Sequence, residues 1–370
     1  MNHLNTIFTL NGWIVSPYTQ KTLSYLRFKG IPHREKAPSA LELIGKVKKN
    51  VGRPVMPTMV TPEGEWWQDS SEIIDKLELQ FREKPVVPPT PKQKLAAYLL
   101  ELHGDEWLIL SALHYRWTEP KSDQFIVSEF GRLAAPWLPK FINRLIGARI
   151  KKMMMQYMPR FGINGSAGQG VRNYTTQLIE NLELHFQQHP YLLGNRPCVG
   201  DFAIFGSMYA HLYRDPGSKP LFDNAPNLVL WINRMLDPGQ HLIQTSTFLE
   251  NDQIPETLTP IFKVFFAEQF PYIQQLMQSI DQYLQANPTA NRLPRVIGES
   301  SFTIGNIASK RQQFTFSQWK LQRALEGYQS LSDTDKAPVD AWLRLVNGEG
   351  FKQMNIKRQV IRRDFKEVLA

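Results

Sequence analysis

The chain has 370 residues with a net charge of +9, from 43 Lys and Arg against 34 Asp and Glu. Its single cysteine, Cys198, excludes an internal disulfide and any multi-cysteine metal site, and fits a reducing compartment. No run approaches the ~20 apolar residues of a membrane span, and MNHLNTIFTLNG lacks the basic region and long apolar core of a signal peptide.

An apolar strand is expected from Thr6 to Leu10, followed by a helix in which Leu23, Tyr25 and Leu26 recur at helical spacing. Ser16 before Pro17 is a good N-cap and first helical position for it, and Gly30 a good stop. A hydroxyl there can also hold an anion, because a helix N-terminus offers unpaired N–H groups and partial positive charge. His33 to Lys36 and a polar stretch lead to RPVMPTMV. Thr58–Val60 and Glu65–Gln68 then read as a hairpin about Pro62, Glu63 and Gly64. Asp69 and Glu72 form a capping-box pattern ahead of a helix with Ile73, Ile74, Leu77 and Phe81 on one face.

PVVPPTP, Pro85 to Pro91, reads as a semi-rigid linker. Beyond it, Leu95, Leu99, Leu102 and Ile109 share one helical face, and Leu178, Ile179, Leu182 and Phe186 another. GINGSAGQG lacks the Gly-Lys-Ser/Thr ending of a phosphate loop and is expected to be an interhelical loop. After Asp252 come helical patterns from Leu258 to Leu284, a hairpin in RVIGESSFTIGNIASKRQQFTF, and helices over Ser317–Leu331 and Ala337–Val346. The closing basic stretch reads as a solvated helix face. The positive charge invites a nucleic-acid reading, but no base-reading module accompanies it. Glu101, His103, Asp105 and Glu106 in ELHGDEW resemble metal ligands in type, yet His103 lies off the face that Glu101 and Asp105 share, so no metal is expected.

Three segments in order, VSPYTQKTLSYLRFKGI, VMPTM and QDSSEIIDKLE, resemble the N-terminal domain of cytosolic glutathione transferases of the serine and cysteine types. The resemblance implies an α/β plus all-α fold. A thioredoxin-like glutathione-binding domain (1–84), a Pro-rich linker (85–92), an all-helical domain (93–252) and a mostly helical C-terminal extension with a hairpin (253–370) are expected. It places Ser16 at the position that hydrogen-bonds the glutathione sulfur, Met56 and cis-Pro57 at the backbone site for the cysteinyl part, and Asp69 with Ser70 at the glutamyl end. Tyr18 is a candidate second hydroxyl. No Cys stands at position 16, which argues against mixed-disulfide chemistry. Gly12 and Trp13 end the first strand where the tyrosine-type classes carry their tyrosine.

YLLGNRPCVGDFAIFGSMYAHLY resembles the start of the core helix in the transferases' helical domain, with Asp201 matching and Cys198 standing where Ser or Thr is usual. Trp13, Trp107, His114 and Tyr115, with Trp117, are candidates for the wall of the electrophile cleft, core packing being the alternative. The implied activity is transfer of glutathione thiolate to a small hydrophobic electrophile, as in detoxification. The expected enzyme is a cytoplasmic homodimer with glutathione as co-substrate and with neither nucleic-acid nor membrane partners. The extension could cover the cleft, extend a dimer interface or bind a partner; the alternative to an enzyme is a non-catalytic ligand-binding or interaction module of the same fold, in which the long C-terminal region does the work.

Overall fold

The computed structural model describes residues 7–241 and 247–370. In chain order the elements are β1 (Phe8–Asn11), α1 (Pro17–Lys29), β2 (His33–Lys36), α2 (Ala40–Glu42), α3 (Lys48–Val51), β3 (Thr58–Val60), β4 (Trp66–Gln68) and α4 (Ser70–Gln80). Then come α5 (Pro91–Glu106), α6 (Leu108–Thr118), α7 (Pro120–Ala134), α8 (Lys140–Met155), α9 (Ala167–Phe186), α10 (Val199–Ser207) and α11 (Pro226–Leu236). The remainder is α12 (Thr259–Val264), α13 (Phe270–Ala286), β5 (Val296–Ile304), β6 (Ile307–Phe314), α14 (Phe316–Gln329), α15 (Asp333–Leu345), β7 (Val360–Arg363) and β8 (Lys366–Leu369). Thr6, expected in the first strand, lies outside the described residues.

Two compact units share the chain. The first comprises Met1–Val86, Ala112–Tyr157 and Phe202–Thr245, the second Val87–Ser111, Met158–Asp201 and Ser246–Ala370. The C-terminal extension therefore has no core to itself.

The first unit holds a four-stranded mixed sheet in the order β2-β1-β3-β4, with β1 parallel to β2 and antiparallel to β3. Leu10, Met59 and Trp67 bury its core, and α1 carries Tyr25, Leu26 and Phe28 fully inside. Phe202 packs on Tyr25 and Phe28 with ring centroids 5.7 Å from each. This is a thioredoxin-like arrangement. Beside it α7 and α8 form a close helical hairpin: Gly131 meets the backbone of Asn143 and Gly147 that of Val127, so a Cβ at either glycine would collide with main chain.

In the second unit α5 packs on α14 through a ladder of buried polar pairs. Arg323 bonds Glu101, Lys320 Nζ donates to Asp105 at 2.7 Å, and Ser317 Oγ donates to Glu106 at 2.8 Å. Glu101 and Asp105 thus neutralise cations on a neighbouring helix, and among the described residues no group of three or more His, Cys, Asp or Glu is placed to hold a metal. Phe262, Phe265, Phe266 and Phe270 of the α12–α13 segment are buried, Phe262 lying edge-on to Trp342 at 5.0 Å.

The hairpin expected near Gly305 is β5–β6, turned through Gly305 (φ 52) and Asn306 (φ 65), the paired positive angles that a two-residue turn of this hand needs. GINGSAGQG is more than a loop: Gly170 lies inside α9, and Gly162 and Gly170 admit the backbones of Lys310 and Ile304 where a Cβ would clash. The basic tail corrects a second expectation. It is the antiparallel pair β7–β8, turned through Asp364 (φ 48) and Phe365 (φ 61), with Arg362 bonded to Glu367 at 2.8 Å. Helix α15 also starts a turn earlier than expected. Ser332 caps it by accepting from Asp335 N at 3.2 Å, and Pro338 is carried inside.

Candidate active site

Strand register gathers the candidate residues. Asn11 of β1 pairs with Thr58 of β3, and Thr58 pairs with Gln68 of β4, so these three lie in one row across the sheet. The segment leaving β1 toward Ser16, the segment Met56–Pro57 entering β3, and the segment Asp69–Ser70 leaving β4 therefore emerge at the same end. Helices α1 and α4 both begin there, which turns two positive dipole ends toward that end.

Ser16 is half-buried and caps α1. Its Oγ accepts from Thr19 N at 3.3 Å, which leaves the hydroxyl hydrogen to donate elsewhere. The segment before it is tied on both sides. Ser16 N donates to Trp13 O at 2.9 Å, and the Trp13 indole donates to Pro38 O at 2.7 Å.

Behind that segment lies a buried cation. Arg116 Nη1 donates to Val15 O at 2.9 Å, and its Nε and Nη2 grip Asp215 at 2.6 and 3.0 Å. Its Nη2 also donates to Ala210 O at 2.7 Å, and Nη1 lies 2.6 Å from His211 Nε2. Burial, with Arg116 beside it, drives the His211 pKa well below the ordinary histidine value. A neutral ring can accept from the guanidinium, so that contact is a hydrogen bond rather than a clash of cations. For Asp215, burial pushes the carboxyl up while the Arg116 charge pulls it down.

The Met56–Pro57 bond is cis, as the resemblance implies, and leads into fully buried Thr58. Asp69 has φ 79 and ψ 131, a costly conformation for a residue with a Cβ. It caps α4 by accepting from Ser71 N at 2.9 Å and Glu72 N at 3.3 Å. Buried Lys21 of α1 donates to Ser71 Oγ at 2.8 Å and joins the two helix starts. Arg53 Nη2 donates to Gln68 Oε1 at 3.3 Å. Tyr18 is half-buried on the first turn of α1, two residues past Ser16.

The aromatic candidates are placed differently. Trp13, His114 and Tyr115 are buried in the first unit, His114 edge-on to Tyr115 at 5.5 Å, and Trp117 packs on Phe130 at 6.0 Å. Trp107 belongs to the second unit and is 1% exposed. It packs edge-on to Phe302 at 5.7 Å with the Arg311 guanidinium 5.5 Å from its ring. All five are core residues. Lys21, Arg53, Gln68 and Arg116 were not singled out from sequence; the signals were a lysine on an otherwise buried helix, the arginine opening RPVMP, and an arginine inside the apolar run LILSALHYRW.

A thioredoxin-like sheet, a cis-proline ahead of β3 and a capping serine on α1 make up the N-terminal part of the first unit. Residues 15–80 match the family model of the glutathione S-transferase N-terminal domain. No curated protein sequence matches the chain. Solved structures similar to it include a glutathione S-transferase of Methylobacterium radiotolerans in complex with glutathione sulfonate, at 19% identity and TM-score 0.40 over 66% of this chain and 99% of that one. The beta-etherase LigF of Sphingobium sp. strain SYK-6 aligns at 16% identity and TM-score 0.41, over 62% and 94% of the two chains. FzlA of C. crescentus aligns at 14% identity and TM-score 0.41, over 66% and 97%.

Proposed function

We propose that the first unit binds glutathione and that Ser16 stabilises its thiolate for attack on a small hydrophobic electrophile. The observation that carries this reading is the convergence, at one end of the sheet, of capped Ser16, the Met56–Pro57 segment and the strained Asp69 at the start of α4. Met56 offers its backbone N–H and C=O to the cysteinyl amide. Ser70 offers a hydroxyl donor to the glutamyl carboxylate, aided by the positive dipole end of α4, while Asp69 offers negative charge to its amine.

The Ser16 O–H then donates to the sulfur. A free thiol with pKa ~8.5 is about 3% thiolate at pH 7, and lowering that value by one or two units raises the fraction to roughly 25–75%. The thiolate forms the new S–C bond as a leaving group departs, or adds to an electron-poor double bond. Proximity in the site supplies the rest of the acceleration. The homodimeric state, the cytoplasmic location and the detoxifying role expected from sequence belong to this proposal. Calorimetric titration with glutathione tests it: saturable binding that is weakened in Asp69→Ala supports the reading, and no heat of binding overturns it.

A further inference from the structure

Helix α8 presents an unpartnered face of unusual composition. Phe141 and Leu145 are 68% and 69% exposed, with Trp137 at 57% in the turn before the helix and Met153 at 53% near its end. Phe141, Leu145, Ala148 and Lys152 follow one another at helical spacing along the centre of that face, with exposed Arg144 on one flank and Arg149 on the other. The opposite side of the helix is spent on α7, where Gly131 and Gly147 bring the backbones together. From Phe130 to Ile179 the sequence has no Asp or Glu and eight Lys and Arg. Lys151 pairs with Asp123 of α7, whereas Arg144, Arg149 and Lys152 make no ion pair among the described residues.

We infer that this face docks on an anionic lipid surface, lying in the plane of the interface rather than crossing it. Aromatic and aliphatic side chains interleaved with cations, and free of acids, match the two demands of such a surface: apolar groups enter the headgroup boundary while Lys and Arg meet lipid phosphate and carboxylate. Trp137 suits the same boundary, with an apolar ring and one N–H donor. The face is the convex ridge of a single helix, which a deformable bilayer accepts. Two-fold self-association through it would set Arg144, Arg149 and Lys152 against their own copies, an unfavourable pairing. Among the described residues no helix is long and apolar enough to cross a membrane, so the contact is peripheral. It is independent of the glutathione chemistry.

Co-sedimentation of the full chain with vesicles tests the inference, comparing phosphatidylcholine alone with phosphatidylcholine plus phosphatidylserine. Binding is expected only to the serine-containing vesicles and is expected to fall as salt rises. At roughly five-fold in affinity for each basic residue near the surface, Arg144→Glu with Arg149→Glu and Lys152→Glu should weaken binding by at least about a hundred-fold. Phe141→Ser with Leu145→Ser should weaken it as well, and because these side chains are exposed the variants should keep wild-type helix content. Equal binding to both vesicle types, no binding to either, or binding that the variants leave unchanged overturns the inference. So does a concentration-dependent dimer that these substitutions dissolve. If a variant loses helix content, the salt dependence and lipid preference of the wild type still decide.

Discussion

Asp215→Asn is the most demanding perturbation of the first unit. Arg116 and Asp215 are 2% and 0% exposed and bonded through two N–H groups at 2.6 and 3.0 Å. Replacing the carboxylate by an amide keeps the shape, but leaves a guanidinium in the core with only neutral acceptors: Val15 O, Ala210 O and His211. Breaking a buried pair in this way costs about 3–5 kcal/mol, a large part of the 5–15 kcal/mol by which domains are usually stable. At roughly 2–4 °C per kcal/mol for a domain of this size, the transition should fall by about 10–15 °C in scanning calorimetry. Arg116→Met with Asp215→Leu removes both charges and should recover much of the loss, which separates an orphaned charge from simple loss of packing. The surviving folded fraction of Asp215→Asn should also turn over glutathione more slowly, because Arg116 holds the carbonyl next to Ser16. Melting within 2 °C of wild type, within the scatter expected of a surface substitution, would refute the reasoning.

Ser16→Ala should lower glutathione-dependent turnover by about ten- to a hundred-fold with little change in glutathione affinity, since the hydroxyl matters most once sulfur is charged; steady-state kinetics beside calorimetry would show it. Stability should fall on acidification from pH 7 to 5. Burial lowers His103 to about 4 and His185 to about 3, so the unfolded chain, at the ordinary 6.5, takes up protons that the folded chain refuses. Burial raises Glu268 from 4.5 to about 7, so this carboxyl acts oppositely, its stabilisation being lost as pH rises through 7. Each of these histidines removes about 2 kcal/mol over that interval, buried His211 adds to the loss and Glu268 returns about 2, a balance readable by urea titration at the two pH values. Glu268→Gln should deepen that acid loss relative to wild type; an unchanged difference between pH 7 and 5 would show that Glu268 titrates normally. A chain ended near Asp252 should aggregate, because it deprives the second unit of Phe262, Phe265, Phe266 and Leu276, all buried; a monodisperse truncated protein in light scattering would contradict this.

The sheet and its flanking helices were legible because their signals are local. Ser16–Pro17 and Asp69 mark helix starts, Pro62–Gly64 marks a turn, and apolar spacing marks faces. The cis bond at Pro57 followed from the family resemblance. What stayed hidden depends on distant partners. Arg116 meets Asp215 across 99 positions, and nothing near Arg116 in sequence announces that contact. Trp107 is read as a cleft aromatic or a core aromatic with equal ease until Phe302 and Arg311 are seen around it. The β7–β8 turn passes through Asp364 and Phe365, neither a glycine, so charge dominated the pattern and a helix face was expected. Glycines in GINGSAGQG suggested looseness where two of them serve tight contact with a hairpin more than a hundred residues downstream.

The two units take turns along the chain, in six segments with five crossings between them. On a ribosome, the first unit lacks its third segment until Thr245 has emerged, and the second lacks its largest until synthesis is nearly over. Half-built cores must therefore wait together, holding apolar faces that the nascent chain cannot yet cover. One proteolytic nick cannot release either unit as a continuous piece, and no single gene boundary excises residues 15–80 together with all the residues of the first unit. Domain swaps of the usual cut-and-paste kind would fail here, whereas exchange of short surface segments, such as the α7–α8 turn, would leave both cores their parts.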